Sequence, residues 1–308
     1  MRRQPATWGL CALLIAFSGP PAAAQLANLP AEVGAAIAEM GPKLNPDVIS
    51  KSIALMKPLQ APLTGLSVSQ DVAYGPDALQ KMDLYPPQAS ATGAAPIVIF
   101  VHGGGFTRGD KQGSENIAAY LARHGLLGIT INYRLAPTVQ WPEQSLDLGN
   151  AVAWLKANAA KYGGDPRRVV VIGHSSGGAV VASYVLDSSL KTDRDGVVGA
   201  VLLSGVFGYG TSNPAYYGED PQKAAERQPR SHVNESKLPL LIVAAEFDPP
   251  RIPADGHQLA AAICTRDGKC PPFVWLSGHN HMTEIGSIDT KDDRLGRRIL
   301  EFVHAVAK

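Results

Sequence analysis

From residue 96 onward the chain alternates two kinds of segment. Pro96-Ile97-Val98-Ile99-Phe100-Val101, Val169-Val170-Val171-Ile172, Val197 to Leu203 and Leu238 to Ala245 are short and almost wholly apolar. A strand with one face in water would alternate apolar and polar residues, so these runs predict strands buried on both faces. Leu126 to Tyr133 and Phe273 to Leu276 read as further strands. Between them, apolar residues three and four apart predict helices over Ser114 to His124, Ser145 to Lys161, Gly177 to Leu186, Ala254 to Ile263 and Asp293 to Ala307. Buried strands alternating with helices indicate the α/β class, a mostly parallel sheet covered on both faces.

The N-terminal part has a different texture. Val33, Ile37 and Met40 recur at helical spacing before a Gly41-Pro42 break, and Val48, Ile49, Ile53 and Met56 mark a second helix over Pro46 to Met56. Leu66 to Tyr74 and Lys81 to Tyr85 then read as extended segments joined through Gly75-Pro76-Asp77, a hairpin. The expected organisation is a helical cap segment over residues 25–60 and one α/β domain over 61–308. Whether the helices roof a site or cover a sheet edge stays open at this point.

Residues 1–24 have the order of a secretory signal peptide: Arg2 and Arg3, the apolar stretch Leu10 to Phe17, Pro20-Pro21, then Ala22-Ala23-Ala24 as a cleavage site. The apolar run is shorter than the ~20 residues a membrane span requires. Cys11 follows Leu10, not a small residue, which disfavours a lipid anchor. The expectation is a periplasmic or secreted protein, cleaved after Ala24, with no stable membrane anchor. In such a compartment Cys264 and Cys270, which bracket a polar turn, are expected to form a local disulfide rather than stay free thiols.

Composition narrows the function classes further. The 308 residues are 45% hydrophobic and 18% charged with a formal charge of +1, which gives a foldable core but no basic field for nucleic acid.

The candidate chemistry lies at strand ends. Gly173-His174-Ser175-Ser176-Gly177-Gly178 joins a buried strand directly to a helix. A G-x-S-x-G sequence in that context sets Ser175 on a sharp turn as a nucleophile. Ser176 then sits where its N–H would help stabilise an oxyanion. His102-Gly103-Gly104-Gly105-Phe106 ends another strand, and its bare backbone N–H groups can approach a substrate oxygen closely. The spacing fits neither phosphate-binding glycine pattern, and His102 reads as a structural residue holding the loop.

A nucleophilic serine needs a base and the base an orienting carboxylate, in the chain order serine, acid, histidine for this type of fold. Asp248, in the loop after Leu240-Leu241-Ile242-Val243-Ala244, is preferred as the acid, with Glu246 as the fallback. His281 is preferred over His279 as the base, the other being loop-stabilising. Two histidines two apart could also bind a metal, but no third ligand has suitable spacing, so neither metal nor organic cofactor is expected. His124, His174, His232, His257 and His304 have no matching partners in the sequence. Phe106, Trp141, Phe207, Tyr209, Tyr216 and Tyr217 lie where they could flank a pocket.

These motifs, with Asn132-Tyr133-Arg134-Leu135-Ala136-Pro137 and Tyr162-Gly163-Gly164-Asp165-Pro166, resemble the bacterial carboxylesterases related to hormone-sensitive lipase, and in texture the arylformamidase and feruloyl-esterase-like members of that group. The likeness runs from about Val72 to the C-terminus. It implies an α/β-hydrolase fold, a triad of Ser175, Asp248 and His281, and oxyanion donors at Gly104, Gly105 and Ser176, with Gly103 shaping the turn. The implied activity is hydrolysis of short-chain or aryl esters of small molecules through an acyl-enzyme. Arylformamidase, lactonase or acetyl-esterase chemistry would use the same residues, as would acyl transfer to another acceptor. A non-catalytic binding protein on this fold is the rival from a different class. The elbow departs from the pattern, since many relatives carry Asp before and Ala after the serine.

Overall fold

The computed structural model describes residues 27–88, 93–190, 192–208 and 213–308; the expected signal peptide and Tyr209 lie outside them. In chain order the elements are α1 (Ala31–Met40), α2 (Pro46–Met56), β1 (Ser69–Ala73), β2 (Lys81–Tyr85), β3 (Ala95–Val101), α3 (Glu115–Arg123), β4 (Leu127–Ile131), α4 (Glu143–Asn158), β5 (Gly164–His174), α5 (Ser176–Leu186) and β6 (Val197–Leu203). The short helices α6 (Pro214–Tyr217) and α7 (Pro221–Glu226) follow, then β7 (Leu240–Phe247), α8 (Arg251–Asp267), β8 (Phe273–Asn280), α9 (Thr283–Gly286) and α10 (Arg294–Val306).

The strands form one eight-stranded sheet in the order β1-β2-β4-β3-β5-β6-β7-β8. β1, β2 and β4 pair antiparallel, and every pairing from β4 through β3 to β8 is parallel. This is the α/β-hydrolase arrangement. Central β3 matches Ile99 with Ile129 of β4 and with Val171 of β5.

The period of two along each strand divides the core. Ile97, Ile99, Val101, Val169 and Val171 face α4, α5 and α8. Val98, Phe100, Val170 and Ile172 face α3 and α10. Both layers exclude water, which is why these strands lack polar alternation.

Several elements extend past their apolar runs. β5 begins at Gly164, which pairs with Ala95, and β8 continues to Asn280, which pairs with Phe247. Backbone pairing carries these ends where side-chain hydropathy gives no signal. α8 closes at Gly268 (φ 66°), beyond which Cys264 and Cys270 are joined in a disulfide.

The N-terminal helices lie beside the end of β8. Asn45 caps α2 by accepting from the Val48 N–H at 2.9 Å, and Pro46 occupies the first turn. Asn280 Nδ2 donates to Ser52 Oγ at 2.9 Å, and Gln60 Nε2 donates to the Gly286 carbonyl at 3.1 Å. No helix among the described residues is long and apolar enough to cross a membrane.

Candidate active site

β5 delivers the chain to Ser175, which has φ 55° and ψ −123°, and α5 starts at the next residue. A non-glycine residue with positive φ stores strain of order 1–3 kcal/mol, sustained only where the surroundings dictate it. Here the flanking glycines dictate it. A Cβ on Gly173 would lie 2.2 Å from the Gly177 carbonyl oxygen, and one on Gly177 would lie 2.3 Å from that of Val101. The turn is pinned by the Ser175 N–H, which donates to the Leu203 carbonyl at 2.9 Å.

Ser175 opens into a cavity of about 680 Å³ whose lining includes His281 and Gly103, Gly104 and Gly105. Gly103 passes so near the elbow that a Cβ there would lie 2.9 Å from the Ser175 Cβ. Gly104 and Gly105 have φ of 127° and 63°. Ser176 is the first residue of α5, so its N–H has no intrahelical acceptor.

The glycine loop rests on buried polar supports. His102 Nδ1–H donates to the Gly103 carbonyl at 2.7 Å, and its ring stacks on Tyr133 at 4.5 Å. Tyr133 Oη donates to the His102 carbonyl at 2.8 Å. The neighbouring Arg134 grips the buried Asp147 through Nε and Nη2. Farther along, Lys111 Nζ is buried against Asp83 Oδ2 at 2.8 Å, with Asp71 Oδ1 at 3.0 Å.

Asp248 directly follows β7 and His281 directly follows β8, so these parallel neighbours bring the carboxylate and the histidine together at their C-terminal ends. His281 Nδ1–H donates to Asp248 Oδ1 at 2.8 Å, and both side chains are buried. Asp248 Oδ2 accepts from Ser204 Oγ at 2.6 Å and from the Ala245 N–H at 2.8 Å. Glu246 points elsewhere, accepting from the Gly278 N–H at 2.7 Å. His279 is fully buried, with Nε2 2.9 Å from Asp292 Oδ2 and Nδ1 3.2 Å from Thr283 Oγ1. His279 is therefore used in tying the loop to the start of α9.

Two residues of the site were not singled out by the sequence. His174 has no matching partner in the sequence, but its Nε2–H donates to the His281 carbonyl at 2.8 Å, and the two rings lie 4.6 Å apart. The fully buried Glu284 places Oε1 3.2 Å from the same nitrogen. Burial pushes His174 down to about 4, so it is neutral at pH 7. Burial, reinforced by the Asp248 charge, pushes Glu284 well above the usual carboxyl range. The pairing partner of His174 is 107 residues away, and only the fold brings it close.

The aromatic residues expected around the pocket are placed differently. Phe106, Phe207, Tyr216 and Tyr217 are core residues, with Phe106 stacked on Tyr216 at 3.8 Å. Trp141 packs against that core beneath Arg227. None of these five lines the cavity. Large rings in glycine- and proline-rich loops here gain more by joining the core than by facing a polar opening. The apolar wall comes instead from the N-terminal segment, through Leu44, Ile49, Ile53 and Met56.

Among the described residues, two groups of side chains place potential metal-ligating atoms within 4.8 Å of one another: His174, His281 and Glu284, and Asp187, His232 and Glu235. In the first, His281 Nδ1 is taken by Asp248 and His174 Nε2 by a carbonyl. In the second, His232 Nδ1 is taken by Glu235 and Nε2 by the Glu226 carbonyl. The histidine nitrogens named are thus engaged within the protein, while both Glu284 carboxyl oxygens and Asp187 Oδ2 are buried without a hydrogen-bond partner.

Comparison with known proteins places the chain. Residues 82–195 match the family described as BD-FAE. The protein named "Probable carboxylic ester hydrolase LipM" of Mycobacterium tuberculosis is 36% identical over 220 residues, covering 68% of this chain and 47% of the relative. "Esterase LipC" of the same organism is 39% identical over 113 residues, covering 36% of this chain and 28% of the relative. The chain thus spans about half, or less, of the length of these curated relatives. Among solved structures, esterase B from Lactobacillus rhamnosis (HN001) superposes with a TM-score of 0.72 at 17% identity, covering 90% of this chain and 94% of that one. The chain is an α/β-hydrolase-fold protein with a BD-FAE segment over residues 82–195, similar to the bacterial carboxylesterases related to hormone-sensitive lipase.

Proposed function

We propose that the protein is an exported serine carboxylesterase that hydrolyses short-chain or aryl esters of small molecules. The observation that carries this reading is Ser175 on a strained elbow in the same cavity as His281, whose ring is oriented by Asp248 at 2.8 Å. Relatives named as esterases, over the part of their length that this chain covers, agree with it.

In the proposed reaction His281 accepts the Ser175 hydroxyl proton as Oγ attacks the ester carbonyl, and Asp248 stabilises the imidazolium that forms. The oxyanion is held by N–H groups of Gly104, Gly105 and Ser176, each donor contributing about 10²–10³ in rate. His281 then hands the proton to the leaving alcohol, and water repeats the attack on the acyl-enzyme. No step calls for a metal or an organic cofactor. Export rests on the signal-peptide pattern of residues 1–24.

Hydrolysis of p-nitrophenyl butyrate by the chain and by its Ser175→Ala variant tests the assignment. Turnover that disappears in a folded variant supports it; equal turnover in both, or none in either, overturns it.

A further inference from the structure

Only four large hydrophobic residues among the described ones are exposed, and two of them, Leu44 (41%) and Ile53 (51%), line the catalytic cavity. The other two, Leu79 and Trp275, do not. The exposure follows from how α2 is used. Val48, Ser52 and Met56 are its buried positions, with Ser52 tied to Asn280. Ile49 and Ile53, one turn apart, form a second apolar stripe that turns toward the cavity instead of the core. Met282 and Ile285 continue this wall directly after His281.

The position of the wall relative to the base identifies which half of an ester it meets. A general acid must lie within hydrogen-bond reach of the atom it protonates, about 2.6–3.2 Å. In acyl transfer that atom is the leaving-group oxygen, so the alcohol moiety lies on the His281 side of the reacting carbon. α2 is fixed to that side. Ser52 is bonded to Asn280, the neighbour of His281, and Gly286 packs so closely on α2 that a Cβ there would lie 2.9 Å from the Met56 Cβ.

We infer that the α2 stripe with Met282 and Ile285 is an alcohol pocket, making the protein selective for esters of apolar alcohols rather than of long acyl chains. The inference rests on the assignment of Ser175 and His281 proposed above. It gives the N-terminal helices, which lie outside the BD-FAE segment, a role in substrate choice. Covering this wall removes apolar surface from water, and each added methylene that reaches it raises kcat/KM about threefold to fourfold.

The test is kcat/KM for two ester series followed by acid release: n-alkyl acetates from ethyl to octyl, and ethyl esters of acids from acetate to octanoate. The full chain, Ile53→Ser and Leu44→Ser are compared; both replaced side chains are exposed, so the core is not disturbed. The alcohol series is expected to climb about threefold per methylene, and the climb to fall below twofold in the variants, while the acyl series keeps one slope throughout. A flat alcohol series, or variants that flatten the acyl series instead, overturns the pocket assignment. If turnover survives Ser175→Ala, or no ester in either series is cleaved, the catalytic assignment fails with it.

Discussion

Glu284 places a carboxyl oxygen 3.2 Å from His174 Nε2, and both side chains are buried. The two groups titrate in opposite directions on folding. Unfolded, His174 takes up a proton below its ordinary value of 6.5, but folded it does so only near 4, so stability falls as pH drops from 6.5 toward 4. Glu284 keeps its proton in the fold well above 4.5, where the unfolded chain has released it, so its contribution to stability falls as pH rises through that range. Above pH 6.5 only the Glu284 effect remains of the two. The native chain is expected to lose up to about 1.4 kcal/mol per pH unit on its account, and Glu284→Gln to lose that slope. Urea denaturation at pH 6.5, 7.5 and 8.5 checks this. Parallel curves for the two proteins would show that Glu284 is already ionised.

Asp248 is held by three donors: His281 Nδ1, Ser204 Oγ and the Ala245 N–H. Asp248→Asn exchanges a carboxylate for an amide, so His281 loses its orienting charge. The expected fall in kcat is about 10³–10⁴, with KM little changed. Ser204→Ala removes one of the three donors while leaving the charge, and a loss of about tenfold in kcat is expected. Ser204→Thr, which keeps the hydroxyl, should recover part of it. Equal kcat for Ser204→Ala and the native chain would mean that the Ala245 N–H and His281 alone fix the carboxylate.

Lys111 stands at the far end of the loop that starts with His102, its ammonium buried against Asp83. Asp83→Ala leaves the cation with only Asp71, whose side chain is 61% exposed. A loss of about 3 kcal/mol in unfolding free energy is expected, since an unpaired buried charge costs more than the pair contributes. Asp83→Ala combined with Lys111→Met should regain much of it. Urea denaturation of the single and double variants gives both numbers. A loss below about 1 kcal/mol in the single variant would show that Asp71 or solvent takes over.

The sheet was legible because its central strands are buried on both faces. Val169 to Ile172 has no polar residue for a solvent face, and a helix-forming segment follows it directly. The strand ends were less legible, since Gly164 to Arg168 and Ser277 to Asn280 belong to strands without an apolar run to mark them. At the site, Ser175 and the glycine loop announce themselves through local sequence constraints, where only glycine fits. His174 and Glu284 did not, because their environment is assembled by residues far apart in the chain. α2 illustrates the same division. Its apolar spacing predicts a helix, but only the fold decides that Val48 faces inward and Ile53 faces the cavity.

The central claim is that Ser175 is the nucleophile. It is tested most directly by treating the chain with a fluorophosphonate and locating the adduct by peptide mass spectrometry. A single adduct on the peptide containing Ser175, absent from a folded Ser175→Ala variant, is the predicted result. An adduct on another residue, or labelling of Ser175→Ala to the same extent, would contradict the account.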